Sequence, residues 1–242
     1  MKIYRSEAIV LRTRKLGESD KIITIFTKEY GIRNAVAKGV RKTTSKIGAR
    51  VEPFNCIDVQ IYEGRSLDNI TQVEIIDAFS KNISKSFESF TTANLISELC
   101  EKLIEEKEQA LSLYSLLKGA LYALSYKDYV PVMVANSFCF RALAISGWAP
   151  SCYKCAVCSK DGLHEYFNVH SGGAMCFECR EQGCVKVDVY TMKVLSDLLV
   201  GNWNNLYNVP GEVIDEVTDI VNSYTQWHLE RRLKSVQFQG MR

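Results

Sequence analysis

The sequence of 242 residues contains only four prolines, three histidines and no long apolar run. Few prolines, with 47% hydrophobic and 24% charged residues, exclude a collagen-like, low-complexity or disordered chain. Apolar stretches such as 8–11 are far shorter than the roughly 20 residues of a membrane span, so no membrane association is expected. The first four residues show no signal-peptide pattern, and we expect a cytoplasmic protein.

Motifs of the common enzyme classes are also missing. The chain has no phosphate-binding P-loop, no dinucleotide-binding fingerprint and no nucleophile elbow. The acidic residues are spread out, whereas a magnesium-dependent nuclease needs clustered carboxylates. The histidines, His164, His170 and His228, are scattered along the chain. The sequence therefore predicts a protein that is not an enzyme and has no catalytic residue.

The positive charge is concentrated at one end of the sequence. The net charge of the whole chain is only +2. Residues 1–50 hold thirteen Lys or Arg against four Asp or Glu, a local net charge of +9. Residues 51–79 hold one basic and six acidic residues, and the rest of the chain is close to neutral. The first 50 residues are therefore where an anionic partner is expected to bind.

The first third of the sequence has the pattern of short β-strands separated by turns. Ile57, Val59 and Ile61 alternate with Cys56, Asp58 and Gln60, as expected for a half-buried strand. Five strands are predicted, at 8–14, 21–27, 32–40, 54–62 and 67–78. Five meandering strands of this length favour a small barrel, with an OB-fold as the first choice and an SH3-like barrel as the second.

Beyond residue 86 the spacing of apolar residues changes to three and four, which predicts amphipathic helices. The predicted helices lie at about 86–104, 113–124, 131–147, 187–200 and 212–234. Pro131 suits the first turn of the third helix, and Gly147 suits its end. The class indicated is α+β, with a barrel followed by helices.

Six of the nine cysteines lie between positions 152 and 184. Cys155 and Cys158 form one CxxC pair, Cys176 and Cys179 form a second, and seventeen residues separate the pairs. This spacing is typical of four-cysteine zinc sites, because two thiolates on one tight turn can both face an ion at about 2.3 Å. Four protein ligands leave no open position for water, so one structural Zn²⁺ per chain is expected.

Alternatives to this ligand set stay open. Free thiols or disulfides could replace a zinc site, although a reducing cytoplasm disfavours disulfides. Cys152 also forms a CxxC with Cys155, and Cys184 follows the second pair closely, so each is a further candidate ligand. We favour Cys155 with Cys158, because pairing Cys152 with Cys155 would leave Cys158 without a role as a ligand on the same loop. The remaining cysteines lie among apolar residues and are predicted to be core thiols: Cys56, Cys100 and Cys139.

A basic segment without acidic residues extends from Arg33 to Arg50. Its middle part, 38–46, has the composition of a mobile connector between strands. Lysine, arginine and hydroxyl side chains, together with glycine amides, suit contacts with a phosphate backbone. A solvated loop that only keeps the protein soluble is the alternative. Three tyrosines are candidates either for base stacking or for core packing: Tyr4, Tyr30 and Tyr62.

Several short motifs occur in a fixed order along the chain. They are Glu7-Ala-Ile-Val-Leu-Arg12, Gly17-Glu-Ser-Asp-Lys21, Ala37-Lys-Gly-Val-Arg41, Val51-Glu-Pro-Phe54, Thr71-Gln72-Val73-Glu74, Gly147-Trp-Ala-Pro150, the two cysteine pairs and Arg232-Leu-Lys-Ser235. In order and spacing they resemble the RecO family of bacterial DNA repair proteins. The resemblance covers nearly the whole chain, and it depends on the set of motifs rather than on any one.

The resemblance implies an N-terminal OB-fold β-barrel, then an α-helical domain with an inserted four-cysteine zinc element. The predicted boundaries place the barrel at 1–80, the helical domain at 81–150 and 185–242, and the zinc insert at 151–184. It also implies a recombination mediator that binds single- and double-stranded DNA non-specifically and anneals complementary strands. The implied partners are RecR and the single-strand binding protein with its acidic C-terminal tail, in the loading of RecA, at the nucleoid in the cytoplasm.

A DNA-contacting face follows as a hypothesis. Its predicted residues are Arg12, Arg14, Lys21, Arg33, Lys38, Arg41, Lys42, Lys46 and Arg50. Non-specific backbone contacts from such side chains reduce the repulsion between two strands. An RNA-binding or ribosome-associated module is the alternative, because barrels with zinc knuckles also serve RNA.

Overall fold

A computed structural model describes residues 3–45, 47–104 and 110–229. Its strands are β1 (Ile3–Leu16), β2 (Asp20–Thr27), β3 (Gly31–Ala37), β4 (Cys56–Tyr62), β5 (Asp68–Asp77), β6 (Tyr166–Asn168), β7 (Gly173–Met175) and β8 (Val185–Lys186). Its α-helices are α1 (Ser80–Ile83), α2 (Phe87–Leu103), α3 (Leu111–Tyr126), α4 (Pro131–Ile145), α5 (Val189–Val200) and α6 (Gly211–Leu229). The chain divides into two compact units, one ending at Asp128 and the next beginning at Tyr129. The three-part division made from the sequence stays a prediction.

The first five strands form a closed barrel in the order β1-β2-β3-β5-β4. Only β3 and β5 pair in parallel, and the other neighbours are antiparallel. The barrel is OB-like, as predicted, and each predicted strand is present. β1 is longer than predicted, because residues from Ile3 to Ile9 pair with β4 while residues from Ala8 to Leu16 pair with β2. One strand therefore serves two neighbours, with a register shift between Val10 and Arg12.

Helices of the first unit cover part of the outside of the barrel. Four consecutive residues of β1, 8–11, are buried, although the side chains of a strand alternate between its two faces. Ala8 and Val10 belong to the barrel core. On the outside, the ring of Phe26 lies edge-on to Tyr114 of α3, with centroids 5.3 Å apart. The first unit is thus a barrel with two apolar layers, one inside it and one beneath α2 and α3.

The helices predicted from apolar spacing are confirmed within the described residues. Nearby capping residues, proline and glycine explain where several of them begin and end. Ser86 caps α2 by accepting a hydrogen bond from the Ser89 amide. α4 begins at Pro131 and is followed by Gly147, whose φ is 90°. The predicted end of the last helix beyond Leu229 lies outside the described residues. Among the helices that the structure describes, none is both long and apolar enough to cross a membrane.

Candidate metal centre and nucleic-acid interface

Two turns of the second unit carry the CxxC pairs: Cys155 and Cys158 between α4 and β6, Cys176 and Cys179 directly after β7. The first turn is joined to β7 by a backbone hydrogen bond, in which the Ala156 amide donates to the Ala174 carbonyl at 2.7 Å. Gly173 has a φ of 143°, and a Cβ there would lie 2.2 Å from the Ser151 carbonyl oxygen. Glycine is therefore required at this position, where β7 passes close to the backbone of Ser151.

The four sulfur atoms form one compact group. All of them lie within 4.8 Å of one another. The Sγ atoms of Cys158 and Cys176 are 3.8 Å apart. Four sulfurs at the corners of a tetrahedron are about 3.8 Å apart when each is about 2.3 Å from a central zinc ion. The residues present therefore fit a tetrahedral metal ion bound by four thiolates, and four cysteines can hold such an ion.

The backbone around Cys155 favours its thiolate form. Burial opposes ionisation of this thiol, but backbone amides of Cys158, Cys176 and Val157 lower its pKa to about 6. One of these amides, that of Cys176, lies 3.4 Å from the Cys155 Sγ atom. The thiolate is the form that binds metals, so the surroundings of Cys155 suit a ligand, whereas the neighbouring thiols of Cys176 and Cys158 raise the pKa of Cys179 to about 12.

The other sulfur and imidazole groups of this region lie outside the group. Cys152 is 3% exposed, and burial raises the pKa of its thiol to about 12. Cys184 instead accepts a hydrogen bond from the Glu181 amide at 3.4 Å. His164 Nε2 lies 2.9 Å from a carbonyl oxygen. Among the described residues, the group therefore contains the four cysteines of the preferred pairing, without Cys152 or Cys184.

The three cysteines predicted as core thiols are buried, with exposed fractions between 0% and 4%. Cys56 lies in the first unit, where its Sγ atom is 3.8 Å from the Tyr114 hydroxyl and 3.5 Å from a carboxylate oxygen of Glu7. Burial raises the pKa of the Cys56 thiol to about 12. This buried thiol therefore stays protonated at neutral pH and can donate its hydrogen to Glu7.

In the first unit, exposed cations gather at one end of the barrel. This cationic rim consists of Arg14, Lys15, Lys38, Arg41 and Lys42. The sheet register brings them together, because Lys15 pairs with Lys21 and Lys21 pairs with Ala37 on the next strand. Among the described residues, none forms a salt bridge with a member of the rim. The Asp20 carboxylate attracts Lys38 and Lys42 without forming a salt bridge with either, so the rim keeps most of its positive charge available to an external anion.

Two loops of the rim are fastened to each other. The Arg41 guanidinium donates to the Gly17 carbonyl at 2.8 Å, and the Arg41 amide donates to the Ser19 carbonyl at 2.9 Å. The Gly39 amide donates to the Asp20 carboxylate at 2.8 Å. This bond, with help from Ser19, lowers the pKa of Asp20. The connection after β3 is thus held against the β1–β2 turn, where the sequence predicted a mobile connector.

Four of the nine predicted DNA contacts lie outside the rim and have partners within the first unit. Arg12 pairs with Glu101 at 2.8 Å, and Lys21 pairs with Glu52 at 2.9 Å. The other two, Arg33 and Arg50, donate to the carbonyls of Tyr30 and Val73 at 3.1 and 2.7 Å. Lys46 lies outside the described residues. The remaining four belong to the rim, together with Lys15, which sequence reasoning omitted.

Two of the three tyrosines proposed for base stacking belong to the core. Tyr4 is 9% exposed, and its hydroxyl donates to Asp68 at 2.8 Å. Its ring lies 4.5 Å from that of Tyr30, which packs against the barrel core. Of the two interpretations that the sequence left open, core packing applies to both residues. Tyr62 is half-buried at the end of β4.

Sequence comparisons agree with this architecture. The family model described as "Recombination protein O N terminal" matches residues 1–79. The model described as "Recombination protein O C terminal" matches residues 84–237. A curated protein of Nocardioides sp. strain JS614, named DNA repair protein RecO, is 41% identical over 240 residues, which cover 98% of each chain. The chain therefore belongs to the recombination protein O (RecO) family.

Proposed function

We propose that this protein is a DNA repair and recombination mediator that binds single- and double-stranded DNA without sequence preference and anneals complementary strands. We further infer that it acts with RecR and with the acidic C-terminal tail of the single-strand binding protein, and that it helps to load RecA. Membership of the RecO family supports the partners. The cationic rim carries the proposal of DNA binding.

The rim suits an annealing protein for a physical reason. Annealing requires weaker repulsion between two phosphate backbones while the base edges stay free to pair. Lysine and arginine side chains on loops can neutralise phosphates and release counterions without reading a sequence. In OB-folds, strands 2 and 3 and the loop between strands 1 and 2 bind oligonucleotides, and the rim lies at that loop. Glu18 and Asp20 are the carboxylates in and beside the β1–β2 turn, and against the five cations of the rim they leave a positive net charge.

We also propose that the four clustered cysteines hold one structural Zn²⁺. Cys155, Cys158, Cys176 and Cys179 would occupy all four positions, so the ion would cross-link two turns and offer no site for substrate. The fit of the sulfur positions to a tetrahedron supports this assignment.

A triple variant in which Lys15, Lys38 and Lys42 are all changed to alanine is expected to bind single-stranded DNA more weakly. Its affinity should also depend less on the salt concentration. Each lost phosphate contact removes about 0.7 from the slope of log affinity against log salt concentration, so the slope should become shallower by about 2. Fluorescence anisotropy of a labelled oligothymidylate at several salt concentrations measures both quantities. Arg41 is left in place because it also fastens the loops.

A charge-matched control removes Lys28, Lys81 and Lys85, which are exposed elsewhere in the first unit. This triple variant has the same net charge as the rim variant. It should retain the original slope if the rim makes the contacts. Equal slopes for both variants would show that total charge, and not the rim, governs binding, and the assignment would be wrong.

Strand annealing separates a mediator from an enzyme. The purified protein is expected to accelerate pairing of two complementary oligonucleotides in a buffer without ATP or magnesium, because the proposed activity consists of binding and charge neutralisation. Quenching between dyes on the two strands reports the rate.

Competition between single-stranded DNA and a structured RNA tests the alternative of an RNA-binding module. A strong preference for RNA would contradict a DNA mediator.

A further inference from the structure

An exposed aromatic ring lies on the second cysteine turn. Phe177 follows Cys176 directly and is 62% exposed. The guanidinium carbon of Arg180 lies 3.6 Å from the centre of its ring, so one face is covered by the planar cation. The large exposed fraction must then come from the opposite face and the ring edges.

The stacked pair is attached to the small sheet of this region. The Arg180 guanidinium donates to the Tyr166 hydroxyl at 3.3 Å, and its carbon lies 5.6 Å from the centre of the Tyr166 ring. Tyr166 lies on β6, in register with Met175 of β7, immediately before the turn. The guanidinium is thus held between two aromatic side chains of adjoining segments. An ordered pair of this kind loses little conformational entropy on binding a flat ligand.

The local charge indicates which part of a nucleic acid this surface fits. Residues 151–186 contain four basic and four acidic side chains, so their net charge is zero. Two of the cations are paired, Lys154 with Asp161 at 3.2 Å and Lys160 with Glu178 at 3.7 Å. Phosphate contacts are therefore weak here, whereas the open ring face suits the π-face of a base. Stacking of this kind tolerates any sequence.

We propose that Phe177 is a stacking site for one base of single-stranded DNA, with Arg180 behind the ring. This inference rests on the proposed DNA-binding function and adds a contact in the second unit that depends on stacking rather than on charge. A protein partner would also cover other exposed apolar side chains of the cysteine turns, such as Val157, which is 61% exposed, so a substitution at Val157 distinguishes the two kinds of partner. A base needs only the ring.

Phe177→Leu in the full-length, zinc-loaded protein tests the proposal, because leucine keeps an apolar side chain and removes the ring. Affinity for an oligonucleotide containing 2-aminopurine is expected to fall about five-fold or more, the size of one lost base stack. The salt slope should stay unchanged, because no phosphate contact is lost. Quenching of 2-aminopurine on binding should disappear, and Phe177→Trp should restore both the affinity and the quenching.

Val157→Ala, an exposed apolar residue of the first cysteine turn, is the matched control and should bind the oligonucleotide as the wild type does. Zinc content is measured for every variant, so that loss of the cysteine turn is recognised separately. Unchanged affinity and quenching in Phe177→Leu, with a shallower salt slope in the rim variant, would overturn the stacking site and leave the proposed function intact. Absence of oligonucleotide binding by the wild type would overturn the proposed function itself.

Discussion

Replacing Cys176 with serine is expected to abolish stoichiometric zinc binding and to destabilise the second unit strongly. Structural zinc sites contribute apparent binding free energies of about 10–16 kcal/mol in small zinc-binding peptides, and this energy is available only to the folded site. The strands near the cysteines contain two or three residues each, so they supply few backbone hydrogen bonds. The cross-link between the two turns is therefore expected to hold this region together.

The measurement combines the zinc content per chain with thermal unfolding followed by tryptophan fluorescence. All three tryptophans lie in the second unit, so the fluorescence change reports this unit selectively. Cys184→Ser is the control, because Cys184 lies outside the sulfur group and is half-buried. The control should keep one zinc per chain and nearly the wild-type midpoint. One zinc per chain in Cys176→Ser, or none in the wild type, would contradict the assignment.

Features encoded within short segments could be predicted from the sequence. The CxxC spacing identified the four cysteines that the structure brings together, because each turn places its own two sulfurs side by side. Alternation and turn residues likewise identified all five barrel strands. In each case the pattern and the structure share the same few consecutive residues. The two pairs lie eighteen or more positions apart, but their standard spacing was enough to join them.

Which basic residues belong to the candidate interface depends on contacts between residues that are distant in the sequence. Arg12 and Arg14 look alike in the sequence, yet Arg12 pairs with Glu101, which is 89 positions away, while Arg14 joins the rim. Lys15 was omitted because its proximity to Lys38 depends on the register of three strands. Phe177 could not be identified, because CxxC spacing does not reveal which intervening side chain faces solvent. The charge count locates the candidate interface only to within a region of the sequence. Contacts with residues distant in the sequence decide which cations of that region form ion pairs.

The second layer of the first unit leads to another large expected effect. Replacing Phe26 with alanine should lower the free energy of unfolding of this unit by about 3–5 kcal/mol, the usual range for a buried phenylalanine. Phe26 has an exposed fraction of 0% and packs against Tyr114 of α3 from the outer face of β2. Its loss would leave a cavity between the barrel and the helix, which rigid neighbours fill only in part.

Phe87→Ala is the matched control, since Phe87 is 76% exposed at the start of α2 and its truncation should cost less than about 0.5 kcal/mol. Hydrogen exchange read by mass spectrometry suits the measurement, because the tryptophans do not report on residues 3–128. Faster exchange in both β2 and α3 is expected for Phe26→Ala, because the ring joins the two elements. Acceleration in α3 alone would mean that the barrel is stable without its helical cover. Equal stability of the two variants would show that the outer layer contributes little, and the first unit would then depend on the barrel core alone.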